Sequence, residues 1–83
     1  VDVVIRVEDS QAKYFRSLPK HSSQKETDPI DGWPVFTYRL VPTYDFKQEI
    51  LSYGADVEVL APESLRKEMA DIAVAMNKLY RKK

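Results

Sequence analysis

Pro29-Ile30-Asp31-Gly32, followed by Pro34-Val35-Phe36-Thr37-Tyr38-Arg39-Leu40-Val41, decides the fold. The first four residues are turn chemistry, because Gly32 tolerates positive φ and Asp31 can bond its own backbone. The next eight alternate. Phe36, Tyr38 and Leu40 fall on one face and Val35, Thr37, Arg39 and Val41 on the other, the pattern of a half-buried strand. The polar stretch 21–28 before the turn carries little periodicity and suits only an edge strand, so the turn joins an edge to a central strand. Working toward the N-terminus, Val3, Ile5 and Val7 alternate with Val4, Arg6 and Glu8, and their β-branched side chains favour a pleated strand. Asp9 and Ser10 are N-cap residue types, and Ala12, Phe15 and Arg16 follow at helical spacing. A helix over 10–18 is expected, ended by Pro19.

The C-terminal side repeats the plan. Pro42 closes the strand, and Thr43 caps a helix expected over 44–53, with Phe46, Ile50 and Tyr53 on one face and Gly54 placed to end it. A strand over 55–60 follows, with Val57 and Val59 opposite Asp56, Glu58 and Leu60. The last helix, expected over 62–81, carries the clearest stripe: Leu65, Met69, Ile72, Met76 and Leu79, widened by Ala73 and Tyr80. The order β-α-β-β-α-β plus a helix is an α+β, ferredoxin-like plan, with strands one and three in the centre of an antiparallel sheet. A single domain over 1–83 is expected.

Composition narrows the function. The 83 residues hold 13 Lys+Arg against 13 Asp+Glu, one His and no Cys. A chain of this size supports roughly 4–12 kcal/mol of stability, enough for one core. Balanced charge argues against a general nucleic-acid or membrane binder. Without Cys there is no disulfide, thiolate nucleophile or Cys-ligated metal. No apolar run is long enough for a transmembrane helix, and no signal-peptide pattern is present, so a cytoplasmic protein is expected. Starting at Val1 directly on a strand pattern, the chain reads as a piece of a longer protein.

Enzyme chemistry is hard to assemble. The only imidazole, His21, lies in a polar stretch, where a solvated loop His is the plain reading. Asp28 and Asp31 lack the alternating ligands of a calcium loop and read as turn formers. Two glycines cannot make a phosphate-cradling loop. No catalytic residue, metal or cofactor is expected. An RNA-recognition motif places stacking aromatics on its open sheet face, whereas Phe36 and Tyr38 fall here on the covered face and leave Val4, Arg6, Thr37 and Arg39 open. Arg6 and Arg39 are expected to be neighbours across the central strands, with Glu58 on the adjacent edge. They read either as part of an Arg–Glu ladder or as two guanidiniums for an anion. The basic end of the last helix (Lys78, Arg81, Lys82 and Lys83) either touches an anionic surface or complements the helix dipole.

Several stretches together resemble one family. They are the opening strand leading into Ala12-Lys13-Tyr14-Phe15, then Ser22-Ser23-Gln24, Asp31-Gly32, Ile50-Leu51-Ser52-Tyr53-Gly54, and Val57-Glu58-Val59-Leu60-Ala61-Pro62-Glu63-Ser64-Leu65-Arg66. The order is similar to the WCX domain, the C-terminal extension of bacterial WYL-domain transcriptional regulators. The resemblance implies a non-catalytic regulatory module whose partners are a WYL domain and a winged helix-turn-helix of the same protein. It also implies effector sensing, with single-stranded nucleic acid or another anion as effector, and a homodimer. The effector-contact candidates are Arg6, Gln24, Arg39 and Arg66; the interface candidates are Leu65, Met69, Ile72, Met76 and Leu79. Two other readings stay open, a purely structural self-association module and a small-molecule-binding ferredoxin-like domain of another protein.

Overall fold

The alternation at the N-terminus becomes a strand, β1 (Asp2–Val7), followed in the computed structural model, which describes residues 1–81, by α1 (Asp9–Ser17), β2 (Lys25–Ile30), β3 (Trp33–Arg39), α2 (Tyr44–Leu51), a 3-10 turn (Gly54–Asp56), β4 (Val57–Ala61) and α3 (Glu63–Arg81). Lys82 and Lys83, expected to extend the basic helix end, lie outside the described residues. The strands form one sheet in the order β2-β3-β1-β4 with every pair antiparallel, so β1 and β3 are central and β2 and β4 are edges. The protein is thus a mixed α+β unit, a four-stranded antiparallel sheet with three helices.

Local chemistry sets the ends of the elements. The α1 cap is Glu8, one residue earlier than expected, because its longer carboxylate reaches back to accept the Ser10 backbone N–H at 3.0 Å. Asp31 and Gly32 both adopt positive φ, 52° and 79°, the pair of conformations a tight type I′ hairpin needs. Ile30 therefore belongs to β2 and faces Trp33; the turn is two residues, not four. Pro29, which cannot donate to a ladder, is tolerated because β2 is an edge and its register shifts between Thr27 and Ile30. Thr43 caps α2 as expected, its hydroxyl accepting from Phe46 N at 3.2 Å. The helix ends at Leu51, short of Tyr53. Gly54, at φ 58°, then turns the chain into the 3-10 segment, which delays β4 to Val57.

The core lies on one face of the sheet. Val3, Ile5, Val7, Phe36, Tyr38 and Val59 point inward and meet Ala12 and Phe15 of α1, Phe46 and Ile50 of α2, and Leu65 of α3. Phe15 stacks on Phe36 at 5.5 Å and touches Tyr53 at 4.8 Å, while Tyr38 meets Phe46 edge-on at 5.7 Å. Register keeps these residues together: Val3 is opposite Tyr38 and Ile5 opposite Phe36. A slip of one residue would turn the whole set to the other face. The opposite face carries no helix from the crossovers, and it holds the charged residues singled out by the sequence.

Candidate functional site on the open sheet face

Register corrects one expectation at once. Arg6 lies opposite Val35 and Glu58, whereas Arg39 lies opposite Asp2. In an antiparallel pair the end of β3 meets the start of β1, so the two arginines sit at opposite ends of the face and do not form one anion clamp. The face accordingly has two parts with different chemistry.

At the hairpin end, the Arg6 guanidinium stacks over Trp33, 4.8 Å from the ring centre. Its Nε donates to Glu58 at 2.7 Å, and its Nη1 is 3.6 Å from Asp31. Arg66, in the first turns of α3, donates to the other Glu58 oxygen at 2.6 Å and to the Val59 carbonyl at 2.8 Å. One carboxylate therefore joins both guanidiniums. Hydrogen bonds from Arg66 first, then from Arg6, hold the Glu58 carboxyl below its usual range, and burial only partly opposes them. The sequence placed Glu58 beside Arg6 correctly, but not that Arg66 would complete the cluster. Two cations and two carboxylates balance here, and Val35, flanked by Arg6 and Thr27 in the register, is buried beneath. The arrangement ties α3 to β4 and covers the open face; its cations are already engaged.

The other end is less satisfied. A shallow groove of about 560 Å³ is lined by Asp2, Val4, Ser23, Lys25, Thr37, Tyr38 and Arg39. The Arg39 side chain is 84% exposed, and its one carboxylate partner among the described residues is the similarly open Asp2, 74% exposed, at 3.3 Å. Such a contact contributes little and rearranges easily. Lys25 stands on the same row as Thr37 and Val4 and makes no ion pair among the described residues. Sequence reading passed over Lys25 because β2 carries no periodic signal; only the Lys25–Thr37 register puts it on this face. Ser23 anchors the rim, its hydroxyl accepting the Arg39 backbone N–H at 2.9 Å and bonding His21 Nδ1 at 2.8 Å. His21 is exposed, as expected of a loop His.

Gln24 is not brought to this face. Its Oε1 accepts from the Tyr38 hydroxyl at 2.6 Å and from Lys20 N at 3.0 Å, and its Nε2 donates to the Phe15 carbonyl at 2.9 Å. These partners lie on the helix side, so its amide is spent on holding the α1–β2 connection. Burial drives the Tyr38 hydroxyl pKa upward, keeping it a neutral donor. Nearby, Lys20 reaches Glu49 at 3.1 Å between the rings of Phe15 and Tyr53. Burial alone would lower its pKa, but hydrogen bonds to Tyr53 and Glu49 outweigh that and raise it.

The helical stripe divides in the same way. Leu65 is 3% exposed inside the core and Met69 packs against that core, so neither is free for an interface. Ile72 is half-buried, while Met76 and Leu79 are 48% and 66% exposed.

These features define a small α+β module with helices on one face of its sheet and a charged open face opposite, and no cluster of metal-ligating side chains exists among the described residues. No described helix is long and apolar enough to cross a membrane. The chain belongs to the WCX domain family, whose model matches residues 1–76, a family of regulatory domains associated with WYL regulators. No curated protein matches the chain.

Proposed function

We propose that the chain is the non-catalytic, ferredoxin-like regulatory domain of a cytoplasmic WYL-type transcriptional regulator, and that its open sheet face contributes to recognition of an anionic effector. Single-stranded nucleic acid is the effector class that the family resemblance suggests. The observation that carries the effector part is the contrast between the two ends of that face. At the hairpin end Arg6 and Arg66 are balanced by Glu58 and Asp31, whereas Arg39 and Lys25 border an open groove with hydroxyls from Ser23 and Thr37 beside them. An exposed guanidinium and an ammonium beside hydroxyl groups suit a phosphate strand. Neighbouring WYL and winged helix-turn-helix domains would complete the regulator, and effector binding acts on DNA affinity only if the effector prefers one arrangement of the domains.

Fluorescence anisotropy with a labelled short single-stranded DNA, at low and physiological salt, tests this. Saturable binding that weakens with salt and is lost in Lys25→Ala/Arg39→Ala, but kept in Arg6→Ala, supports the reading. Absence of binding at low salt, or equal binding by the Lys25/Arg39 variant, contradicts it. A second reading, self-association, is favoured by the exposed outer half of α3.

A further inference from the structure

The rim of the open-face groove holds a hydrogen-bond chain whose direction decides what Ser23 can offer an anion. Residues 21–24 form a turn, closed by the Gln24 N–H donating to the His21 carbonyl at 3.0 Å. Within it the Ser23 backbone N–H donates to His21 Nδ1 at 3.1 Å, and the Ser23 hydroxyl lies 2.8 Å from the same nitrogen. A backbone N–H can only donate, so Nδ1 is an acceptor here and the imidazole is neutral, with its proton on Nε2. The Ser23 hydroxyl is then the donor to Nδ1. Its oxygen also accepts the Arg39 backbone N–H at 2.9 Å. A hydroxyl has a single proton, and this one points at His21. In this state Ser23 lines the groove but presents no donor to it.

We propose that protonation of His21 turns the Ser23 hydroxyl into the groove, so that anion binding at the Arg39 end is coupled to proton uptake by His21. This deepens the effector reading above and rests on it. An imidazolium has a proton on both nitrogens, so Nδ1–H donates to Ser23 Oγ across the same 2.8 Å. A hydroxyl oxygen can accept twice: it takes the Nδ1–H and keeps the Arg39 N–H. Its own proton rotates toward the groove, where Lys25, Thr37 and Arg39 already stand. Solvent supplies the Nδ1 proton, and the hydroxyl keeps its own. The contact given up, from the Ser23 N–H to Nδ1, is exposed, and water replaces it. The turn itself need not move, because the Gln24 amide holds the next residue to Tyr38 and Phe15.

The other charged groups around His21 do not share this path. Lys20, one residue earlier, has a side chain only 9% exposed and pairs with Glu49 at 3.1 Å. Asp45 and Glu49 of α2 border a second notch with Lys20 and His21. Asp2 of β1 and Lys25 of β2 line the groove, and the Val1 amine precedes Asp2. Among the described residues, the hydrogen bonds of Ser23 Oγ go to His21 and Arg39. His21 is the chain's single histidine, so its substitution removes the imidazole and leaves all these groups in place.

A thymidine oligonucleotide without a terminal phosphate is the probe, because only a phosphate monoester changes charge near neutrality. Anisotropy titrations of the 1–83 chain, with a pH-insensitive dye, run from about pH 7.5 to about pH 5.5, across the range in which an ordinary imidazole takes up its proton. The affinity is expected to rise roughly two- to tenfold on acidification, the equivalent of one net hydrogen bond, and to fall back as the pH rises. His21→Gln and Ser23→Ala should each lose most of that rise. By reciprocity the His21 ring protons, followed by NMR, should titrate at higher pH with the oligonucleotide bound than without it. An affinity flat with pH, or a full rise in His21→Gln, overturns the coupling while the anion groove stands. A full rise in Ser23→Ala shows the imidazolium acting by charge alone and overturns the hydroxyl switch. Absence of binding at every pH overturns both the coupling and the effector reading. Circular dichroism confirms that each variant is folded.

Discussion

Replacing Gln24 with Ala separates a structural amide from an effector contact. Three hydrogen bonds end on this side chain: from Tyr38 Oη at 2.6 Å, from Lys20 N at 3.0 Å, and to the Phe15 carbonyl at 2.9 Å. Tyr38 is buried, and its hydroxyl has no other hydrogen-bond partner among the described residues. Truncation leaves that donor inside without water. A stranded buried group costs about 1–3 kcal/mol, and each further hydrogen bond lost about 0.5–1.5 kcal/mol. Gln24 and Lys20 are only half-buried, so water replaces part of the loss at the Lys20 N–H. A destabilisation of about 2–3 kcal/mol follows, a large share of the total for a domain this small. Urea unfolding followed by far-UV circular dichroism should show a lower midpoint with an unchanged m-value. Tyr38→Phe in the Gln24→Ala background should cost less than it does in the wild type, because the stranded donor is then gone. A change below about 0.5 kcal/mol in Gln24→Ala, the range of an ordinary surface substitution, would refute the structural role and return Gln24 to the effector candidates.

Other consequences follow from the core, the turn and the open face. Phe15→Ala removes a fully buried ring stacked on Phe36 and Tyr53, and its expected cost of about 3–5 kcal/mol should leave the chain largely unfolded by thermal melting. Gly32→Ala meets no neighbouring atom but sits at φ 79°, so only the left-handed backbone penalty of about 1–2 kcal/mol should appear in the urea midpoint. The Glu58 carboxyl is held below its usual range by Arg66 and Arg6. Its contribution to stability is therefore complete above the usual carboxylate pKa and is lost as the pH falls through the lowered folded value. Glu58→Gln should be less stable than the wild type at neutral pH, and the gap should close on acidification below that folded value; a gap independent of pH would show that the carboxylate charge does not matter.

The elements were legible in the sequence because each is written in local chemistry: alternation in 1–8 and 34–41, a Thr43 cap, a glycine beside Asp31, and a stripe in the last helix. Placing Phe36 and Tyr38 on the covered face required only that alternation, and it correctly left Val4, Arg6, Thr37 and Arg39 on the other. Lateral register is a property of two strands at once, and it was not legible. The Arg6–Arg39 neighbourhood failed for that reason, since matching Val3 to Tyr38 carries Arg39 to Asp2. The facing of Lys25 and of Gln24 was not legible for a related one: residues 21–28 have no hydrophobic pattern, so nothing local says that Lys25 joins the open face and that the Gln24 amide turns to Tyr38 and Phe15. The helix stripe was read correctly as one feature, but how much of it the domain itself covers depends on where the sheet ends, beneath Leu65 and Met69.

The most direct test of the account is a two-dimensional amide NMR titration of the 1–83 chain with a short single-stranded oligonucleotide at low and physiological salt. The account predicts saturable shifts clustered at Ser23, Lys25, Thr37 and Arg39, diminished by salt, with the amides of Arg6 and Arg66 little moved. Shifts confined to α3 or to the Arg6–Glu58–Arg66 cluster, or a spectrum unchanged at low salt, would contradict an anion-recognising face at the Arg39 end of the sheet.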